Sequence, residues 1–177
     1  KSFFKLYWPN CYVHAGYFQK ITNSILDQNS LKLTRNQISP FLNDYKSQFL
    51  AIHIRRGDYL TKKNLNHGII SESYLVDETK KQISKIDFEG IRIFSDSPEL
   101  INLKNFQNLH SNIIIDEGGD PSEVFKRMSN HKGLIASNST FSLWAGILGR
   151  IKHFSIPYFW MKNVKSSIIG LDYIPRY

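Results

Sequence analysis

From Phe49 onward, short apolar runs alternate with longer stretches in which apolar residues recur three or four positions apart. Phe49 to Ile54 has strand length and predicts a first buried strand. After a loop containing Lys62-Lys63-Asn64 and Gly68, a helical segment is expected from about Glu72 to Lys85. Ile91-Arg92-Ile93-Phe94 predicts a second strand ending in Ser95-Asp96. Ser97-Pro98-Glu99 combines a cap residue, a first-turn proline and an early acid, and predicts a helix start. Ile113-Ile114-Ile115 predicts a third strand, followed by Asp116-Glu117-Gly118-Gly119. Asp120-Pro121-Ser122-Glu123 has capping-box spacing, and Val124, Phe125 and Met128 share one face of the helix it opens. Leu134-Ile135-Ala136 predicts a fourth strand. In the helix after it, Ser139 to Gly149, the residues Phe141, Trp144, Ala145 and Leu148 fall at i, i+3, i+4 and i+7, which points Trp144 at the sheet. Lys152 to Ile156 predicts a fifth strand, stopped by Pro157.

Strands alternating with helices imply an α/β fold, a Rossmann-like and mostly parallel sheet covered on both faces. Residues 1–20 are aromatic-rich without a clean period, and 22–48 read as a polar connection with one helical piece near Phe41 to Tyr45, entered through Ser39-Pro40. The expected organisation is therefore a remnant of another domain plus linker at 1–48 and a ligand-binding Rossmann-like domain at 49–177. The chain opens in Lys1-Ser2-Phe3-Phe4 with no initiator methionine, so a longer parent protein is expected.

Composition narrows the classes. With 41% hydrophobic and 14% aromatic residues the chain can build a packed core. No apolar run approaches the roughly 18–20 residues that span a bilayer. The single cysteine, Cys11, excludes an internal disulfide and a cysteine-based zinc site, and fits a reducing compartment such as the cytoplasm or the cytoplasmic face of a membrane. A net charge of +8 is compatible with nucleic acid, peripheral contact with an anionic membrane face, or a phosphorylated substrate. The basic residues are scattered rather than run together, which weakens the nucleic-acid reading.

Candidate chemistry gathers at three strand ends: His53 to Asp58, Ser95-Asp96, and Ser137-Asn138-Ser139-Thr140. Ligands of open α/β sheets bind at the carboxyl ends of strands, and the guanidiniums of Arg55 and Arg56 match phosphate oxygens in a two-pronged way. Gly57 permits a tight bend, and Asp58 either holds an arginine or meets the ligand. A helix opening at Ser139 and Thr140 offers backbone N–H groups to an anion, although Asn138 or Ser139 also serves as an ordinary cap. Asp96 could accept hydrogen bonds from a nucleoside or cap its own turn. His53 reads equally as a core histidine, and Arg-Gly-Asp as a plain surface turn. The other histidines have no metal-like spacing, and neither a Walker loop, a Gly-x-Gly-x-x-Gly fingerprint nor an Asp-x-Asp pair occurs. No metal cofactor is expected. A diphosphate would be neutralised by arginines and helix N–H groups.

His53-Ile54-Arg55-Arg56-Gly57-Asp58-Tyr59, Phe94-Ser95-Asp96 and Ile135-Ala136-Ser137-Asn138-Ser139-Thr140-Phe141-Ser142-Leu143-Trp144 resemble the three successive motifs of the bacterial and animal α-1,2-fucosyltransferases. Gly16-Tyr17-Phe18-Gln19 is similar to a weaker upstream element of that family. The resemblance implies the donor-binding half of a GT-B fold. It implies inverting, metal-independent transfer of L-fucose from GDP-fucose to the 2-hydroxyl of a galactose in an oligosaccharide or glycolipid acceptor. It places Arg55 and Arg56 at the diphosphate, His53, Ser95 and Asp96 near the guanosine, and Asn138, Ser139, Thr140 and Phe141 around the phosphate. Asp58 is the in-motif candidate for the catalytic base, with arginine fixing as the alternative. An animal member would reside in the Golgi lumen. The chain departs from the family at Ser97, Leu143 and Val124 and lacks a glycine-rich N-terminal element. The rival readings are a basic nucleic-acid-binding module and a nucleotide-sugar-binding fragment without catalysis.

Overall fold

The structure, a computed structural model, describes residues 46–61, 68–162 and 164–165. All but the last three residues of the expected remnant and linker, with the helical piece near Phe41 to Tyr45 and the Gly16 to Gln19 element, lie outside these residues, and Ser47 and Gln48 already belong to the first strand. Five parallel strands form the sheet: β1 (Ser47–Ile54), β2 (Ile91–Ser95), β3 (Ile113–Ile115), β4 (His131–Ile135) and β5 (His153–Ser155). Their order is β3-β2-β1-β4-β5, so the chain works outward to one edge and then returns to the other side of β1. Three helices connect them, α1 (Glu72–Ile83), α2 (Pro121–Ser129) and α3 (Thr140–Leu148). A small antiparallel pair, β6 (Phe159–Met161) and β7 (Val164–Lys165), follows. No helix of the described residues is long and apolar enough to cross a membrane.

The period of two along each strand divides the core. Leu50, Ile52 and Ile54 of β1, with Ile91 and Ile93 of β2 and Ile135 of β4, join Leu75 of α1 on one face. Ala51, Phe94 and Leu134 point the other way and pack with Met128 of α2 and Ala145 of α3. Both faces are thus covered, as parallel strands require. Gly133 is needed at the centre of β4, because a Cβ there would press on Leu50 and Phe88 at 2.9 Å.

Three expectations are corrected. No α-helix follows Ser97-Pro98-Glu99; only 3-10 turns form, at Pro98–Leu100 and Leu103–Asn105. Ser97 makes no side-chain cap, and Ile101 and Phe106 are drawn into the α1-side core, which unwinds the segment. The fourth strand begins at His131 rather than Leu134, its polar start hidden from a search for apolar runs. The buried face of α3 is Ser142, Leu143, Ala145, Gly146 and Ile147, while Trp144 and Leu148 are only half-buried. That helix is apolar nearly all round, so periodicity does not choose its inner side. Close packing does: the bare Gly146 lies against the Phe154 ring, and Gly149 against the Ser129 carbonyl.

The cap expected at Asp120 forms, and Ser71 supplies one that the residue pattern did not single out. Ser71 caps α1 by accepting the Tyr74 N–H at 3.2 Å. Asp120 caps α2 through the Ser122 and Glu123 N–H groups at 2.9 and 3.4 Å. Glu123 does not close the capping box; it pairs with Lys126 at 2.6 Å.

Candidate functional site

The strand order reverses between β1 and β4, and the crevice outside their carboxyl ends is where an open α/β sheet receives ligands. The two strand ends are joined by side chains. His53, the penultimate residue of β1 and 5% exposed, is hydrogen-bonded through Nδ1 to Ser137 Oγ at 2.7 Å. Its ring lies 6.1 Å from that of Phe141. Burial, helped by the nearby Arg55 charge, pushes its pKa down to about 3, so the imidazole is neutral at physiological pH.

Beyond Ile54 the chain turns around Asp96. The Arg56 N–H donates to Asp96 Oδ1 at 2.9 Å, and Arg55 Nε lies 3.3 Å from Oδ2. Gly57 passes so close that a Cβ would run into the same carboxylate, which makes glycine a requirement here. Arg55 also pairs with Asp58 at 2.8 Å, and its guanidinium sits 5.6 Å above the Tyr59 ring. The Tyr59 hydroxyl then donates to the Asn138 carbonyl at 2.9 Å, carrying the arginine turn to the start of α3.

The two arginines part company. Arg55 lies beside His53 on the α3 side and is 31% exposed, at the crevice. Arg56 is buried, donates from Nη1 to the Arg55 carbonyl at 3.0 Å, and forms no ion pair among the described residues. Burial lowers its pKa, against the raising influence of Glu72 and Asp96. Glu72 does not reach it, because Oε1 accepts the Asn102 N–H at 3.1 Å and Oε2 the Asn105 amide at 2.5 Å.

At the other wall, Ser139 caps α3 by accepting the Phe141 N–H at 3.3 Å, and Ser142 Oγ donates back to the Ser139 carbonyl at 3.2 Å. Thr140 opens the helix and is half-buried. The first-turn N–H groups give this end a partial positive charge. Asn138 is buried and donates from Nδ2 to the Gly68 carbonyl at 3.3 Å. Ser95 is occupied locally, its Oγ accepting the Ser97 N–H at 3.1 Å. Among the described residues no cluster of three or more His, Cys, Asp or Glu is placed to hold a metal ion.

His53, Arg55, Asp58 and Asp96 are therefore gathered with Ser137, Asn138, Ser139 and Phe141 at one corner of the sheet, while the Arg56 guanidinium is buried against the Arg55 carbonyl and the Ser95 hydroxyl is engaged by its own turn. Tyr59 and Glu72 carry contacts that the residue pattern did not single out. Tyr59 stood within the first motif, but its partner is 79 positions away.

The sequence model of glycosyl transferase family 11 matches residues 2–163. The chain belongs to glycosyl transferase family 11. This is the family of α-1,2-fucosyltransferases whose motifs the sequence carries, and it gives no support to a nucleic-acid-binding module. Among solved structures the chain is similar to the crystal structure of POFUT1 in complex with GDP, at 14% identity and a TM-score of 0.45, with 71% of this chain and 47% of that chain covered. It spans about half the length of that protein. No curated protein matches the sequence. For a family 11 chain, the three motifs thus converge on one corner of the sheet, at the ends of β1, β2 and β4.

Proposed function

We propose that this chain is the donor-binding half of an inverting galactoside α-1,2-fucosyltransferase that uses GDP-fucose and needs no metal. One observation carries the reading: a crevice-facing guanidinium, Arg55, is oriented by Asp58, Asp96 and Tyr59 and tied through Tyr59 to the N-terminal side of α3. A diphosphate at the end of α3 would meet that guanidinium and the first-turn N–H groups together. As the galactose 2-hydroxyl attacks the fucose anomeric carbon from the face opposite GDP, the bond to the β-phosphate oxygen breaks. Its electrons leave with GDP. Fixed donors aimed at that growing charge supply roughly several kcal/mol of transition-state stabilisation.

Arg56, buried and without an ion-pair partner among the described residues, adds positive potential from behind, and the neutral His53 holds Ser137 in place. A carboxylate takes the acceptor proton. Asp58 is already paired with Arg55, which suits it to fixing the arginine more than to accepting that proton. Calorimetry of GDP and GDP-fucose in excess chelator tests the reading. Binding that persists without divalent ions is expected, and complete dependence on magnesium or manganese would sink it.

A further inference from the structure

The connection from β1 to α1 is held at both ends by one residue. Near its start, the Tyr59 hydroxyl donates to the backbone carbonyl of Asn138. Near its end, the Gly68 carbonyl accepts from the Asn138 side-chain amide. Asn138 is 1% exposed, so both bonds are partly sheltered from water. An asparagine suits the place because it presents its backbone acceptor to one end and a side-chain donor to the other. The Tyr59 ring meanwhile lies under the Arg55 guanidinium, so the same side chain supports the arginine and ties it to α3.

We infer that Tyr59 and Asn138 are positioning residues of the donor site. They set the distance between Arg55 and the N-terminus of α3 and touch no ligand themselves. Asn138 is on this account a strut of the phosphate site and not a nucleotide contact. The inference rests on the reading that a diphosphate binds between Arg55 and α3. Its particular consequence is that Tyr59 acts on the phosphate part of the donor and leaves the nucleoside part alone.

The experiment titrates guanosine, GMP and GDP into the full-length protein and its Tyr59→Phe, Tyr59→Leu and Asn138→Asp variants, with melting followed in parallel. The parent should bind GDP more tightly than guanosine. Tyr59→Phe removes the hydroxyl but keeps the ring, and should weaken GDP by about three- to tenfold, the scale of one hydrogen bond, with guanosine unchanged. Tyr59→Leu also removes the surface under Arg55 and should weaken GDP further. Asn138→Asp turns a donor into a carboxylate facing the Gly68 carbonyl and should act in the same direction, which serves if a Tyr59 variant does not fold. Unchanged GDP affinity in the folded Tyr59 variants, or equal losses for guanosine and GDP, would overturn the inference. A parent that binds guanosine and GDP equally would overturn the phosphate reading first, and the positioning role with it.

Discussion

Two corners of the sheet hold the same chemistry to different ends. At the end of β3, Asp116 is gripped by Arg127 at 2.6 and 2.9 Å, by Arg92 at 3.3 Å and by the Gly118 N–H at 3.0 Å. At the end of β1, Arg55 is gripped by Asp58 and Asp96. The first cluster has a carboxylate at its centre with 2% of its side chain exposed, surrounded by donors until no lone pair is left open. Burial raises the Asp116 pKa, but the bonds from Arg127 and Gly118 outweigh that and hold it below the ordinary carboxylate range. The second cluster inverts the arrangement: a guanidinium stands at the centre and its carboxylates are 50% and 21% exposed. A buried acid among cations closes the fold around itself. A half-buried cation held by partly exposed acids keeps its direction and remains within reach of an incoming anion.

Acid should weaken both corners and give the largest effect, because each has one buried histidine. His53 sits in the second corner, and burial, with the Arg55 charge, puts its pKa at about 3. His131 sits in the first, donating from Nδ1 to the Arg127 carbonyl at 2.7 Å, and burial puts its pKa at about 4 despite that bond. Both values lie below the unfolded one, so the unfolded chain binds these protons more readily. Their stabilisation is complete above pH 6.5 and is lost as pH falls toward 4 and 3. At pH 5 the loss is about 2 kcal/mol for each, read as denaturant-unfolding free energy against pH. His131→Asn, which can keep the bond to the carbonyl, should lower the slope, and an unchanged slope would show that His131 is not neutral in the fold.

Removing a carboxylate from each corner sharpens the contrast. Asp116→Ala strands two guanidiniums and should cost about 3 kcal/mol of stability, whereas Asp58→Ala, at a half-exposed pair, should cost about 0.5 kcal/mol. Equal costs would erase the distinction drawn between them. The last effect falls on rate rather than on stability. Arg55→Lys keeps the charge but loses the two-pronged geometry, and should lower kcat/KM of the full-length enzyme by about tenfold, roughly 1.4 kcal/mol, with melting unchanged. Arg127→Lys should do the reverse, moving the melting temperature and sparing kcat/KM.

Local pattern was enough for much of this. The runs at Phe49, Ile91 and Ile113 became strands because apolar runs of that length have few other ways to be buried, and Asp120 capped its helix because an aspartate before proline satisfies first-turn N–H groups wherever the helix sits. The expectation failed where distant residues decided the outcome. Ile101 and Phe106 reached the core and left no helix after Pro98, and Gly146 and Phe154 chose the inner side of α3. In the site, the motifs named Arg55, Asp96 and Ser139, and the bend at Gly57 implied different roles for Arg55 and Arg56 without saying which is which. Which of them faces the crevice depends on Asp96, Asp58 and Glu72, and only Asp58 is a near neighbour in the chain.

By itself the sequence determined the alternation of strands and helices, the motifs of glycosyl transferase family 11, and the kinds of group that meet at the strand ends. These follow from short-range periodicity and from residue chemistry, which do not depend on where the chain later goes. The tertiary structure decided the strand order, and with it the reversal between β1 and β4 that opens the crevice. It also decided that Tyr59 would find Asn138 and that Asp96 would find the turn at Gly57. Such pairs are separated by 79 and 40 positions, and nothing in either segment alone specifies the register in which the sheet brings them together.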